Sequence, residues 1–271
     1  MLPMNLLRRR EPLVPVLRLH GVIGNLPFRS GGLNLAGLAG QIERAFGAKG
    51  AVAVALQINS PGGSPVQSAL IHGRIRQLAA EKRLPVIAFL EDVAASGGYW
   101  LALAGDEVYA DANSIVGSIG VISAGFGFPQ LLERFGIERR VHAQGARKAM
   151  LDPFRPEQPE HIERLHALQR DMHDSFKALV RERRGAKLKG DDAMLFEGDI
   201  WTGRRALELG LIDGLADLRS TMRARYGEKV RLRVVGGQTS WLRRRLGFRG
   251  ELIADTITML EERALWARYG L

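Results

Sequence analysis

Residues 51–58 read AVAVALQI and run directly into Asn59-Ser60-Pro61-Gly62-Gly63. A continuous apolar run of this length, closed by a turn, is the pattern of a strand covered on both faces, as in a parallel sheet. Ser64-Pro65 then offers a helix cap and a first helical residue. Val66, Leu70, Ile71, Ile75 and Leu78 fall on the inward face of the helix this predicts, which runs to about Lys82. The same unit comes again. Residues 85–90 (PVIAFL) read as a second buried strand, and Ala94-Ala95-Ser96-Gly97-Gly98 leads into a short helix ending near Ala104.

Upstream, residues 14–23 alternate and are rich in β-branched types, so they read as a strand. Asn34 opens a helix to Ala48, with Leu35, Leu38, Ile42 and Phe46 on one face. Downstream, strands are expected near 106–110, 115–122 and 137–143, with a helix around 128–135. Residues 157–184 form a long amphipathic helix, with Ile162, Leu165, Leu168, Met172, Phe176 and Leu179 spaced by three or four. Helices follow over 203–209 and 214–226. Past about 228 the chain turns Arg-rich, with a strand at 231–235 and a helix near 250–267. Alternating strands and helices predict an α/β fold with mainly parallel strands and right-handed crossovers. The expected domain plan is a basic N-terminal segment over 1–13, a catalytic domain over 14–228 and a basic extension over 229–271, the last suited to an oligomer or membrane-surface contact.

The 271 residues are 46% hydrophobic and 25% charged, an ordinary globular composition. With no cysteine, disulfides, zinc–thiolate sites, iron–sulfur clusters and a thiol nucleophile are excluded. The net charge is +10, gathered at Arg8-Arg9-Arg10, at Arg243-Arg244-Arg245 and over Arg181 to Lys189. Solvated faces account for such clusters most simply, with nucleic acid or anionic lipid as the alternatives. No helix-turn-helix, zinc pattern or RNA-binding aromatic motif is present, so no nucleic-acid partner is expected. No run approaches the ~20 apolar residues of a membrane span. In residues 1–10 apolar residues precede the arginines, the reverse of a signal peptide. A cytoplasmic chain, peripheral to the membrane at most, is therefore expected.

Two Gly-rich turns after buried strands would lie together at the carboxyl ends of the sheet, where α/β folds bind ligands. Glycine lets N–H groups approach closely, and two converging donors can hold a developing oxyanion, each worth about 3–4 kcal/mol. Ser96, among small residues at a helix start, has the open approach a nucleophile needs, though a helix cap is an equally ordinary role. A base is then required. His161, His166 and His173 belong to the long helix, where a solvated face explains them, and His142 ends an expected strand. Lys148 is the other candidate. Ala149, Met150, Leu151 and Phe154 could bury it, and burial disfavours the ammonium, which would let the amine take a hydroxyl proton. A plain surface lysine is the alternative.

Five motifs stand in order: Ser60-Pro61-Gly62-Gly63, Ala95-Ser96-Gly97-Gly98-Tyr99, Val116-Gly117-Ser118-Ile119-Gly120, Lys148 within KAMLDPF, and Trp201-Thr202-Gly203 through Gly210-Leu211-Ile212-Asp213. Together, with Lys148 52 positions after Ser96, they resemble the signal peptide peptidase A family, the S49 Ser–Lys peptidases of the ClpP/crotonase superfamily. The resemblance covers roughly 14–226 and implies a ClpP/crotonase-like fold of repeated β-β-α units. It implies Ser96 as nucleophile, Lys148 as general base, Ser118 as the residue orienting the lysine amine, and Gly63 and Gly97 as oxyanion donors. It further implies peptide substrates that are apolar or small, spent signal peptides among them, no cofactor or metal, and a homo-oligomer, a tetramer or octamer. The chain resembles the short, single-unit form without the anchor of membrane-bound members. A ClpP-type triad fits poorly, because residues 115–125 contain no His. An acyl-CoA enzyme of the superfamily would lean on an acidic acid/base and leave the Ser96–Lys148 pair unexplained. A phage-type S49 processing protease would carry the same motifs.

Overall fold

The computed structural model describes residues 11–24, 32–145, 147–236 and 266–270. The expected helix near 250–267 lies almost wholly outside them. In chain order the elements are β1 (Leu13–His20), α1 (Leu35–Phe46), β2 (Val54–Ser60), α2 (Pro65–Lys82), β3 (Val86–Ala95), α3 (Gly97–Ala102), β4 (Glu107–Ala110) and β5 (Ile115–Gly117). There follow α4 (Pro129–Arg134), α5 (Pro159–Arg184), α6 (Asp192–Leu195), β6 (Ile200–Thr202), α7 (Gly203–Glu208), β7 (Gly214–Leu215), α8 (Leu218–Tyr226) and β8 (Arg231–Val235).

One sheet runs in the order β6-β5-β3-β2-β1-β8, with β4 also pairing β3, and β7 pairing β4. Every pair is parallel except β5 with β6. The mainly parallel α/β fold read from the sequence is the fold observed. β8, drawn from the Arg-rich segment, pairs Val16 with Val234 and so extends this sheet beside β1.

The apolar runs are explained by cover on both faces. Val14, Val16, Ala53, Ala55, Ile87 and Phe89 pack with Met222 of α8 on one side. Leu17, Leu19, Leu56 and Ile58 are buried on the other side, as are Leu38 and Ile42 of α1 and Ile71 and Ile75 of α2. Each such side chain contributes roughly 1.5–3 kcal/mol of burial. Toward the carboxyl ends the α8 face opens. There Arg18 donates to Gln57, Gln57 to Glu91, and Glu91 meets His20 at 2.9 Å, a polar line across β1, β2 and β3.

Two compact units are present: Met1–Ile119 with Leu179–Leu271, and Gly120–Ala178. The first holds the sheet. In the second, Phe176 is the one buried large apolar side chain among the described residues, while Ile122, Phe126, Leu131, Phe135 and Ile137 are exposed.

Three expected elements differ: the strand expected near 115–122 ends at Gly117, and two others change more. Residues 137–143 form no strand. Their alternation lacks a neighbouring edge to satisfy the backbone, and Arg139 instead reaches Asp152 at 3.0 Å and stacks over Phe154. The helix expected from 214 starts only at Leu218. Asp217 accepts from Ser220 N at 2.9 Å and caps it, which frees Gly214–Leu215 to pair with β4.

Candidate active site

The site is built at the carboxyl ends of adjacent parallel strands. β3 and β5 pair Val93 with Ile115, Ala94 with Val116 and Ala95 with Gly117. Ser96 and Ser118 are the next residues of each strand. Ser96 N donates to Gly117 O at 2.8 Å, and Ser118 N donates to Asp199 O at 2.6 Å. Both serines carry φ of +53, a left-handed backbone that an L residue adopts at a cost. Strain of this kind at a strand-to-helix turn lifts a side chain clear of the sheet, as in a nucleophile elbow. Ser96 stands at the cap position of α3, yet its side chain makes no capping hydrogen bond. The cap role, open at the level of sequence, is not taken up by its hydroxyl. Both serines are partly exposed.

The Pro61-Gly62-Gly63 turn lies against this elbow. A Cβ on Gly62, at φ +104, would sit 2.8 Å from Ser96 Cβ and 2.9 Å from Gly97 N. A Cβ on Gly97 would sit 3.4 Å from Gly63 N. Gly63 and Gly97 are thus neighbours across the two turns. Among the described residues neither amide donates to a backbone carbonyl. Two unspent N–H groups beside a raised hydroxyl are what an acyl-transfer site requires.

The turn is itself held. Ile23 N donates to Gly62 O at 2.8 Å, and Ser64 N to Ile23 O at 2.7 Å. A Cβ on Gly63, at φ +141, would lie 2.0 Å from Ile23 O, so only glycine fits. Ser64 caps α2 through Gln67 N, with Pro65 in its first turn, as the sequence predicts. Three supports were not legible in advance. Buried Ser60 accepts from Gly62 N at 3.2 Å, buried Ser68 donates to Ser64 O at 2.9 Å beside Gly97, and the Tyr269 hydroxyl donates to Pro61 O at 3.4 Å. The first two could have been suspected only as hydroxyls inside apolar surroundings.

Gly203 is packed so tightly that a Cβ would lie 1.9 Å from Asp111 O, and the Thr202 hydroxyl caps α7. This end of the Trp201-Thr202-Gly203 motif is therefore architectural. Trp201 pairs with Val116, which places β6 beside β5 and lets Asp199 hold Ser118.

Lys148 belongs to the second unit. Its amide donates to Gly145 O at 3.1 Å in a tight turn, followed by Leu151 at φ +59. The side chain is exposed in the single chain, and Ala149 and Met150 are only partly buried. The expectation that its own neighbours bury the amine is therefore not met: those residues lie beside it without covering it. His142 is exposed. Close by, the Phe128 ring lies 6.4 Å from that of Phe126 and 5.6 Å from that of Phe154, both tilted, and Phe126 and Phe128 line a groove of about 600 Å³ with Ala149, Leu151 and Asp152.

Residues 78–230, more than half of the chain, match the family model for peptidase family S49. A protease of Synechocystis sp. is 32% identical over 81% of this chain and 80% of its own length. A Brucella abortus protein named Na(+)/H(+) antiporter NhaA is 52% identical over 97% of this chain, which spans only 38% of that longer relative. The transporter name is said of that longer protein alone; no described helix here is long and apolar enough to cross a membrane. The solved 1510-N membrane-bound stomatin-specific protease, in a mutant form, superposes with a TM-score of 0.52 at 17% identity, covering 84% of this chain and 99% of that one, a likeness of fold. With the motif order and the elbow geometry, these matches settle the family: the chain belongs to peptidase family S49, the serine-peptidase family of signal peptide peptidase A.

Proposed function

We propose that this peptidase works through a Ser96–Lys148 dyad. The observation that carries the reading is the strained Ser96, uncapped and flanked by the unspent amides of Gly63 and Gly97. In the first step the Lys148 amine takes the Ser96 hydroxyl proton as Oγ bonds to the scissile carbonyl carbon. The carbonyl oxygen becomes an oxyanion held by Gly63 N–H and Gly97 N–H. The C–N bond then breaks, Lys148 returns the proton to the leaving amine, and an acyl-enzyme remains. Water, deprotonated by the same amine, attacks the ester carbon, the bond to Ser96 Oγ breaks, and the amine returns the proton to Oγ as the acid product leaves. Ser118, next to Ser96 in strand register, orients the amine through its hydroxyl.

Substrates on this reading are peptides with small or apolar side chains, remnants of signal peptides among them. The same reading makes the working enzyme a homo-oligomer. The second unit has almost no core of its own and displays Ile122, Phe126, Phe135 and Ile137. A unit this small gains stability by covering such a surface. Cover from a second copy would also take water away from Lys148, the condition a lysine base needs. We place its work at the cytoplasmic side, with no nucleic acid involved.

The test is a mass-spectrometric map of products from a proteome-derived peptide library, with casein and an acyl-CoA thioester run beside it. The expected result is cleavage after small or apolar residues, absent in Ser96→Ala, with the thioester untouched. Thioester turnover without peptide cleavage would overturn the proposal.

A further inference from the structure

One residue, well before the segment that matches the family, touches both halves of the oxyanion site. Beyond β1 the chain turns at Gly21, where φ is +105, and Ile23 comes to lie beside Gly63 in parallel register. Gly21 N still donates to Asn59 O at 2.9 Å, which continues the ladder between β1 and β2. Val22 O accepts from Leu33 N at 2.9 Å and Gly24 N donates to Leu33 O at 2.8 Å, so these two residues face Leu33. Ile23, between them, faces the other way. Its N donates to Gly62 O at 2.8 Å and its O accepts from Ser64 N at 2.7 Å. Ile23 is 2% exposed, so its side chain is packed inside.

The main chain of Ile23 aims one donor. A trans peptide is planar, and its C=O and N–H point in opposite directions. The Gly62 carbonyl and the Gly63 N–H belong to one peptide. With the carbonyl drawn to Ile23 N, the Gly63 N–H is turned away from Ile23 and toward the elbow, where a Cβ on Gly97 would lie 3.4 Å from Gly63 N. The next peptide is held by Ile23 O through Ser64 N, so both peptides that flank Gly63 hang on the same residue. The side chain reaches the other donor. A Cβ on Gly97 would lie 3.1 Å from Ile23 Cδ1 and 2.5 Å from Ser68 Oγ. The Ile23 δ-methyl and the Ser68 hydroxyl therefore fill the space a side chain at Gly97 would take, and bear on its backbone.

We propose that Ile23 is a positioning residue for the oxyanion site: its main chain clasps the peptides around Gly63, its δ-methyl bears on Gly97, and together they set the gap between the two donors. The proposal rests on the reading of Ser96 as nucleophile with Gly63 and Gly97 as oxyanion donors. Ile23 acts only through those two glycines. An oxyanion is held when each donor lies about 2.7–3.1 Å from it, so a changed gap weakens the transition state and leaves binding of the peptide chain in the ground state nearly as it was. Protein interiors are close-packed, so removing the δ-methyl lets the Gly97 turn relax into the vacated space.

The variants to use are Ile23→Val, which removes only the δ-methyl and keeps the branched Cβ, and Ile23→Ala. Steady-state hydrolysis of an apolar peptide is measured on the full chain for wild type, both variants and Ser96→Ala. Inhibition by the matching peptide aldehyde and circular dichroism melts are measured alongside. In the aldehyde complex Ser96 Oγ bonds to the aldehyde carbon, the hydroxyl proton passes to the base, and the former carbonyl oxygen takes the oxyanion's place. A misplacement of about 1 Å costs on the order of a hundredfold. Ile23→Val is expected to lower kcat about 3- to 10-fold and Ile23→Ala about 10- to 100-fold, with KM within about twofold of wild type. The aldehyde inhibition constant should rise by the same factors, because it reports the same oxyanion. Partial unfolding alone would lower kcat and leave the inhibition constant of the folded fraction unchanged, and that result overturns the positioning role. So does wild-type kcat and wild-type inhibition in both variants. Should Ile23→Ala not fold, Ile23→Val decides alone. If the nucleophile reading itself is wrong, Ser96→Ala stays active and the aldehyde does not inhibit wild type, which separates that failure from this one.

Discussion

Replacing Gly62 with alanine puts a methyl group between the oxyanion turn and the nucleophile. The new Cβ would lie 2.8 Å from Ser96 Cβ, 2.9 Å from Ala95 O and 2.9 Å from Gly97 N. None of these is the free tip of a flexible side chain, so the two turns must separate. Ordinary carbon–carbon contact begins near 3.5 Å, so Ser96 must retreat by about 0.7 Å. The movement is resisted on both sides, by Ile23 N on Gly62 O at 2.8 Å and by Ser96 N on Gly117 O at 2.8 Å. It also changes the spacing between the hydroxyl and the Gly63 amide. A donor lost from an oxyanion site is worth ~3–4 kcal/mol, and a displacement under 1 Å forfeits a large part of it, so kcat should fall roughly 30- to 300-fold. The left-handed φ of +104 adds about 1–2 kcal/mol of strain for an L residue, lowering Tm by roughly 2–8 °C. Steady-state hydrolysis of an apolar peptide and a thermal melt measure both. If Gly62→Ala keeps kcat within about threefold of wild type while its Tm is unchanged, the packing of the glycine turn on the elbow is not what aligns this site.

Other substitutions test the roles one at a time. Ser96→Ala should abolish hydrolysis and leave Tm within about 1–2 °C, because its hydroxyl caps nothing in the fold; a clear loss of stability would restore the cap role. Ser118→Ala should slow the reaction about 10–100-fold, less than Ser96→Ala, since orientation is a smaller contribution than bond formation, and steady-state kcat ranks the two. His72, whose pKa burial lowers to about 4, with Arg183 and Arg76 adding to the shift against a raising Leu103 carbonyl, is neutral in the folded protein. Its folded value lies below the unfolded ~6.5, so the stability it allows is complete above pH 6.5 and declines as pH falls toward about 4, by an amount on the order of 3 kcal/mol. Chemical denaturation of wild type and His72→Gln at pH 7 and pH 4.5 should show a steeper acid loss in wild type.

Much of the fold follows from short-range pattern. The runs at 51–58 and 85–90 read as parallel strands because both faces are covered, and the structure buries Val54, Leu56, Ile58, Val86 and Ile87. The Ser64-Pro65 start of α2 is legible because capping is local chemistry. Where the outcome depends on a distant partner, pattern fails. Residues 137–143 alternate like a strand but find no edge to pair with. β6 is too short to announce itself, and it exists because Val116 of β5 offers Trp201 a partner.

The site divides along the same line. Ser96, Gly63, Gly97 and Ser118 are placed by turns next to them in sequence, and the structure gathers them at the ends of β2, β3 and β5. Ser60 and Ser68 support them from positions that sequence marks only as a turn residue and a helix residue. Lys148 is different. Its immediate neighbours do not cover it. Its flanking apolar residues marked a surface to be covered without saying by what.

The most direct measurement is tryptic mass mapping of the adduct formed with a fluorophosphonate, in wild type and in Lys148→Ala. The account predicts one phosphonylated residue, Ser96, modified rapidly in wild type and scarcely at all when the lysine is gone. A label on any other serine, or equally fast modification of Ser96 without Lys148, would contradict it.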